Sequence, residues 1–419
     1  MRGICVLLLA VCSLPPVLRA QSEATHDIPR DVLLLARVRA HMSDLLLRLP
    51  NYTCLLNIER TGRSATGRMQ LLDVVRIEVA LVEGNELFAW PGSKNFQDTK
   101  IVDMVKGGAI GSGNFALHAK SVFQSAAPRF TFAGDWTMND GRQALRWDYV
   151  VPLAMSGYTL RSPPHQATVG YHGSFWVDAK TLQVLRLQVH ADDIPAQLGI
   201  ASAADTIDYQ RVDLGGEDFL LPAKAELRMA ARDGQENINL TTFTGCRQYA
   251  GESTISFEDA DATKQSGVKQ PERTLHVPAG LTLRAALETP ITSGVSAVGD
   301  PVTAILKKEV KLGSGLVAPK GALVHGRVIA LRRYTQPNGW IVGFDFFELE
   351  WENFRARVRA ELADAPAAQV ALNTLGSIRA PLVKTDEQGA FFVQGDKLTF
   401  RRGLPLEFRT QPVQTEENQ

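Results

Sequence analysis

The sequence predicts a mainly β protein with a few helices: a large antiparallel curved sheet (a half-barrel) lidded by helices, plus a second small β-barrel or sandwich domain. Three observations carry that expectation. Period-two alternation dominates the chain beyond Pro50, as where Ile77, Val79 and Leu81 alternate with Arg76, Glu78 and Ala80. Tight-turn sequences separate the runs, among them Glu83-Gly84-Asn85, Asn139-Asp140-Gly141 and Asp233-Gly234. Helical spacing, by contrast, is confined to three stretches before residue 124.

The first segment reads as an export signal over residues 1–20. Arg2 gives a positive start, Ile4 to Val11 an apolar run, and Ser13-Leu14-Pro15-Pro16 a helix break, with cleavage expected after Ala20. The run is too short to span a bilayer, which takes about 20 apolar residues. Leu9-Ala10-Val11-Cys12 approximates a lipid-attachment box, but Val11 is too bulky for the position before the cysteine, and no lipid anchor is expected. No later stretch is apolar and uninterrupted enough to cross a membrane as a helix, so the mature chain should have no transmembrane span.

Next, Asp31 to Leu49 reads as an amphipathic helix, with Leu34, Leu35, Val38, Met42, Leu45, Leu46 and Leu49 on one side and Pro50 as its stop. Strands follow from Tyr52, then short helices at Ile101 to Val105 and Phe115 to Phe123, joined by glycine-rich Gly107–Gly113. Hairpins resume at Phe130 and continue to Tyr249, giving one antiparallel meander. This first domain covers residues 21–257. The polar stretch 258–272 reads as a linker. A second β domain covers 273–419, with short strands around Val298-Gly299-Asp300-Pro301 and Pro319-Lys320-Gly321, and a closing hairpin of Phe391–Val393 with Leu398–Arg409 about Gly395-Asp396.

Of four cysteines, Cys5 and Cys12 leave with the signal. Cys54 falls in the apparent first strand and Cys246 in the last strand of the first domain, and in an exported chain they are expected to form a disulfide; two buried free thiols are the alternative.

Three resemblances follow from these pieces. The helix, meander and two inserted helices over Asp31 to Phe257 resemble the superfamily of periplasmic lipoprotein carriers, whose half-barrel holds acyl chains under a helical lid. Leu49-Pro50-Asn51-Tyr52-Thr53-Cys54, Ile58-Glu59-Arg60 and Cys246-Arg247-Gln248-Tyr249 also look like a family of exported bacterial proteins, a likeness that brings no function with it. In the second domain, Pro278-Ala279-Gly280, Gly299-Asp300-Pro301-Val302-Thr303-Ala304 and Pro319-Lys320-Gly321-Ala322 are similar to the β-barrel module of type IV secretion and conjugation outer-membrane proteins. The chain lacks that family's inner-membrane helix and proline-rich spacer, so the likeness speaks to fold rather than role.

Charge excludes one class of partner. Lys and Arg number 45, matching 45 Asp and Glu, and no basic run is interleaved with aromatics, so nucleic acid is not expected. Gly107 to Gly113 offers backbone amides to an anion but lacks the strand before and the Lys-Ser/Thr after it that a phosphate loop needs, so a turn is the plainer reading. His190 with Asp192 and Asp193 is a fragment short of a metal set. His165 and His172 are candidate bases without a nucleophile elbow. No catalytic residue, metal or cofactor is assigned.

The aromatics Phe88, Trp90, Phe130, Phe132, Trp147, Tyr149, Phe175 and Trp176 all lie in first-domain strands. Most must be core; some are expected to line an apolar groove between sheet and helices. The expectation is a non-enzymatic cell-envelope protein, periplasmic, outer-membrane associated or secreted, binding an acyl chain, a lipoprotein or an envelope protein there. The alternatives are a scaffold whose core is filled by its own side chains, and an unrecognised periplasmic hydrolase.

Overall fold

A computed structural model describes residues 28–63, 67–93, 96, 100–105, 107–249, 274–312, 315–335, 338–362, 383–384 and 390–412. The expected signal at 1–20 and linker at 258–272 lie outside the described residues.

Helix α1 (Arg30–Arg48) begins with Asp31 in its first turn and ends with Arg48 in its last, charges that complement the helix dipole. It buries Val38, Met42, Leu45 and Leu46. The first strands are β1 (Tyr52–Arg63), β2 (Met69–Val82) and β3 (Asn85–Ala89), followed by α2 (Ile101–Met104) and α3 (Leu117–Phe123). The two-residue turn from β2 to β3 holds Glu83 at φ 50° and Gly84 at φ 85°, the pair of left-handed conformations that a type I′ hairpin requires. The meander continues through β4 (Arg129–Thr137), β5 (Gln143–Val151), the small hairpin β6 (Thr159–Ser162) and β7 (His165–Thr168), then β8 (Gly170–Asp178) and β9 (Val184–Asp192). It ends with β10 (Ile200–Leu214), β11 (Glu217–Ala231) and β12 (Glu236–Gln248).

Antiparallel pairing sets the strands in the order β3-β2-β1-β12-β11-β10-β9-β8-β5-β4. The first strand therefore sits inside the sheet, paired with both its hairpin partner and the last strand. The register of β1 against β12 shifts between Thr53 and Leu55, leaving Cys54 opposite Gly245 and Cys246. There Cys54 and Cys246 form a disulfide across 192 residues of chain, with Cα atoms 4.1 Å apart. On the adjoining part of the sheet, buried Arg60 is held by both oxygens of Asp73 at 2.7 and 2.6 Å and donates to the Gly107 carbonyl at 2.7 Å. That ion pair anchors the glycine-rich segment.

The second β region has short strands: β13 (Thr274–His276), β14 (Thr282–Leu287), β15 (Ile291–Thr292), β16 (Pro301–Leu306), β17 (Val310–Leu312), β18 (Gly315–Ala318) and long β19 (Leu323–Thr335). Then come β20 (Asn338–Trp351), β21 (Phe354–Leu362), β22 (Val383–Lys384), β23 (Ala390–Gln394), β24 (Thr399–Phe400) and β25 (Pro405–Gln411). Pairing runs β14-β16-β19-β20-β21-β25 and back to β14, a closed ring. Val302, Val324, Val328, Phe344, Phe346 and Phe408 fill its centre.

One detail corrects the sequence reading. Phe391–Val393 and Leu398–Arg409 do not form a hairpin: β23 pairs with β20 and β22, β24 with β15, and β25 closes the ring between β14 and β21. The ladder requirements of the ring separate segments that are adjacent in sequence.

The two regions share a seam. Val298 N donates to Val74 O at 2.9 Å and Arg76 N to Val298 O at 2.8 Å. The Arg76 guanidinium reaches Asp300 at 2.9 and 2.7 Å and the Val295 carbonyl at 2.7 Å. Gly299, at φ 97°, has no room for a side chain: a Cβ there would lie 2.3 Å from Arg76 O and 2.7 Å from the Trp90 ring. In this fold Gly299-Asp300 is thus a joint.

Candidate functional site

The aromatics grouped by the sequence reading part company in the structure. Trp147, Tyr149 and Phe175 are 1%, 1% and 0% exposed and stack under the helices. Trp147 lies parallel to Phe175 at 5.6 Å, and Phe123 of α3 meets Phe175 edge-on at 5.1 Å. Phe130 lies 6.0 Å from Phe175 and carries the Arg39 guanidinium of α1 over its ring at 5.1 Å. Phe132, at the margin, packs 5.0 Å from Trp147 and is partly exposed. These rings contact one another and the helices above them. Trp176 follows Phe175 and so faces the opposite side of the sheet, with Trp136 at 6.2 Å and Arg146 over its ring.

Phe88 and Trp90 go elsewhere. They lead out of β3 to the seam and line an open cavity of about 930 Å³ with Met104 on one side and the outer wall of the β-ring on the other. That wall is built by alternation: in β19, Val324 and Val328 point inward while His325 and Arg327 face out. In β20 a bulge between Phe346 and Glu348 breaks the alternation, so Phe347 and Glu348 both face the cavity. Arg355 and Arg357 reach it from β21.

The polar groups of the cavity divide into partnered and unpartnered. His325 Nε2 lies 2.9 Å from Glu350 Oε2, and Arg355 lies 3.6 Å from Glu348 and 3.8 Å from Glu350. His325, Glu348 and Glu350 each offer a ligand atom within 4.8 Å of the others, a set the sequence reading missed. With a guanidinium already against both carboxylates, a divalent cation there would meet electrostatic repulsion; together with Arg355 the trio works as a charge ladder across β19, β20 and β21. Arg327 is different. Its guanidinium lies between two rings, 5.4 Å from the centre of Trp90 and 5.0 Å from that of Phe347. Its Nε is buried without a hydrogen-bond acceptor. Burial pulls its pKa below the ordinary value, with the charge of Asp345 pulling the other way. An arginine stays protonated through this, so the cavity wall holds a poorly solvated positive charge.

Other candidates resolve locally. The glycine-rich segment does bind an anion, and the anion is its own: Glu86 accepts from Gly113 N and Ala116 N at 2.8 Å and from Leu117 N at 3.1 Å. His172 pairs with Asp192 at 2.7 Å and stacks on His190 at 5.2 Å, while exposed His165 sits in β7. Among the described residues neither ring is hydrogen-bonded to a hydroxyl or thiol. A second hollow of about 520 Å³ lies on the sheet face bearing Asn57 and Glu59, where Asp208 holds Arg186 at 2.6 and 2.9 Å.

Compared with known proteins, the chain matches no protein-family profile and no curated protein. Among solved structures it is similar to a LolA superfamily protein from Nitrosomonas europaea, at 7% identity and a TM-score of 0.28 over 53% of this chain and 96% of the other. It is also similar to a DUF1329 family protein from Desulfovibrio piger, at 9% identity and a TM-score of 0.27 over 54% and 95% of the two chains. At such scores the properties of neither protein carry over to this chain.

Proposed function

We propose that this is a non-enzymatic cell-envelope protein that binds a ligand with an apolar body (an acyl chain, a lipoprotein or a partner peptide), using its first domain for contact and its β-ring as a rigid docking module. The observation that carries this reading is the open cavity at the seam, where Phe88, Trp90, Met104 and Phe347 supply apolar wall beside a few convergent polar groups. An exported location is supported by the signal-like first segment and by the disulfide, which persists in oxidising compartments. No described helix is long and apolar enough to cross a membrane. The division into domains of 21–257 and 273–419 belongs to the same proposal.

The test is titration of the full chain with a fluorescent fatty acid. Saturable uptake is expected, weakened at least fivefold by Trp90→Ala; a wild type that takes up none removes the reading. One observation favours a second reading, a scaffold with no ligand: the rings Trp147, Phe175 and Phe123 occupy the space under the helices where a groove was expected.

A further inference from the structure

We propose that the seam cavity selects an amphiphilic oxyanion, a carboxylate or phosphate head on a short apolar body, with the head paired to Arg327 and the body lying along Trp90 and the exposed face of Phe347. The inference rests on the binding role proposed above and adds the charge and place of the ligand's head.

The argument is one of unbalanced charge. Three arginines and two glutamates line the cavity. Arg355 and His325 serve both glutamates. Arg327 and Arg357 form no ion pair or hydrogen bond through their side chains among the described residues, and the Arg327 Nε is buried with no acceptor. A guanidinium removed from water needs an anion or acceptors to offset its lost hydration, and flanking rings replace only part of that. Its planar fork matches a carboxylate or phosphate in two parallel hydrogen bonds. The rings of Trp90 and Phe347 that hold the fork also present apolar surface beside it, so a bare inorganic anion would leave that surface wet. A neutral amphiphile would leave the charge unpaired.

Calorimetric titration of the full chain with octanoate, octyl phosphate, octanol and inorganic phosphate separates the parts. The expected result is saturable binding of the two amphiphilic anions, at least tenfold tighter than either octanol or inorganic phosphate. Arg327→Gln should bring the anions down to the level of octanol. Phe347→Glu, at an exposed position, should do the same by supplying an internal carboxylate, and it covers the case in which Arg327→Gln does not fold. Octanol binding as tightly as octanoate would overturn the anionic head while leaving an apolar-ligand protein. Inorganic phosphate matching octyl phosphate would overturn the amphiphile. Anion binding unchanged in both variants would overturn the placement, and no saturable binding by any of the four would remove this inference together with the reading it rests on.

Discussion

Trp147 lies on β5 and Trp90 just past the end of β3, two strands of one sheet, yet they meet opposite circumstances. Trp147 is buried, with the rings of Phe175 and Phe132 packed 5.6 and 5.0 Å from its own. Around Trp90 the neighbours are a glycine that leaves it space, a guanidinium whose buried Nε has no acceptor among the described residues, and an open cavity. A core is finished by its own atoms, whereas a binding surface leaves something unsatisfied. The difference is the ground on which the proposed recognition is placed at the seam rather than beneath the helices.

The comparison can be broken from either end. The largest effect is expected from Trp147→Ala, which leaves a hole in a closed ring stack and should cost about 3–5 kcal/mol in denaturant unfolding. Its counterpart Trp90→Ala should cost far less stability; equal losses would mean that both rings are core. Reducing the Cys54–Cys246 bond should destabilise the first region by about 2–4 kcal/mol, read as a lower unfolding midpoint under reductant. Ligand affinity at the seam should not change with it. The smallest effect is expected from Asp300→Ala, which releases a partly exposed Arg76 and should lose about 1 kcal/mol. Its more telling readout is limited proteolysis, where faster cutting between the regions would show that this pair fastens them. An unchanged digestion pattern would assign that task to the remaining links, the backbone bonds of Val298 and the pairing of β19 with β2 at Arg332 and Asp73.

Much of the architecture was legible because it follows local rules. Alternation marked the strands, Pro50 ended α1, and the turn at Glu83-Gly84 announced a hairpin. The disulfide was legible because two cysteines fell in the first and last strands of one meander. Parity also held a signal that went unused: Phe175 and Trp176 are consecutive in a strand, so both cannot line one groove. The seam cavity was not legible. It needs Trp90 and Gly299 to meet across more than two hundred residues, and it needs a bulge at Phe347 that breaks the alternation from which the strands were read. The closing segments misled for a similar reason, since β23 and β25 find their partners through ring closure and not through the turn between them.

The interior position of β1 bears on how the protein is assembled. A chain made from its amino end presents Tyr52–Arg63 early, with one edge matched by β2 and the other left bare until Glu236–Gln248 arrives. A bare strand edge invites pairing with any passing chain. The first part of the sheet therefore cannot be completed until the last strand slots in beside the first, and for that long the bare edge of β1 is open to pairing with another chain.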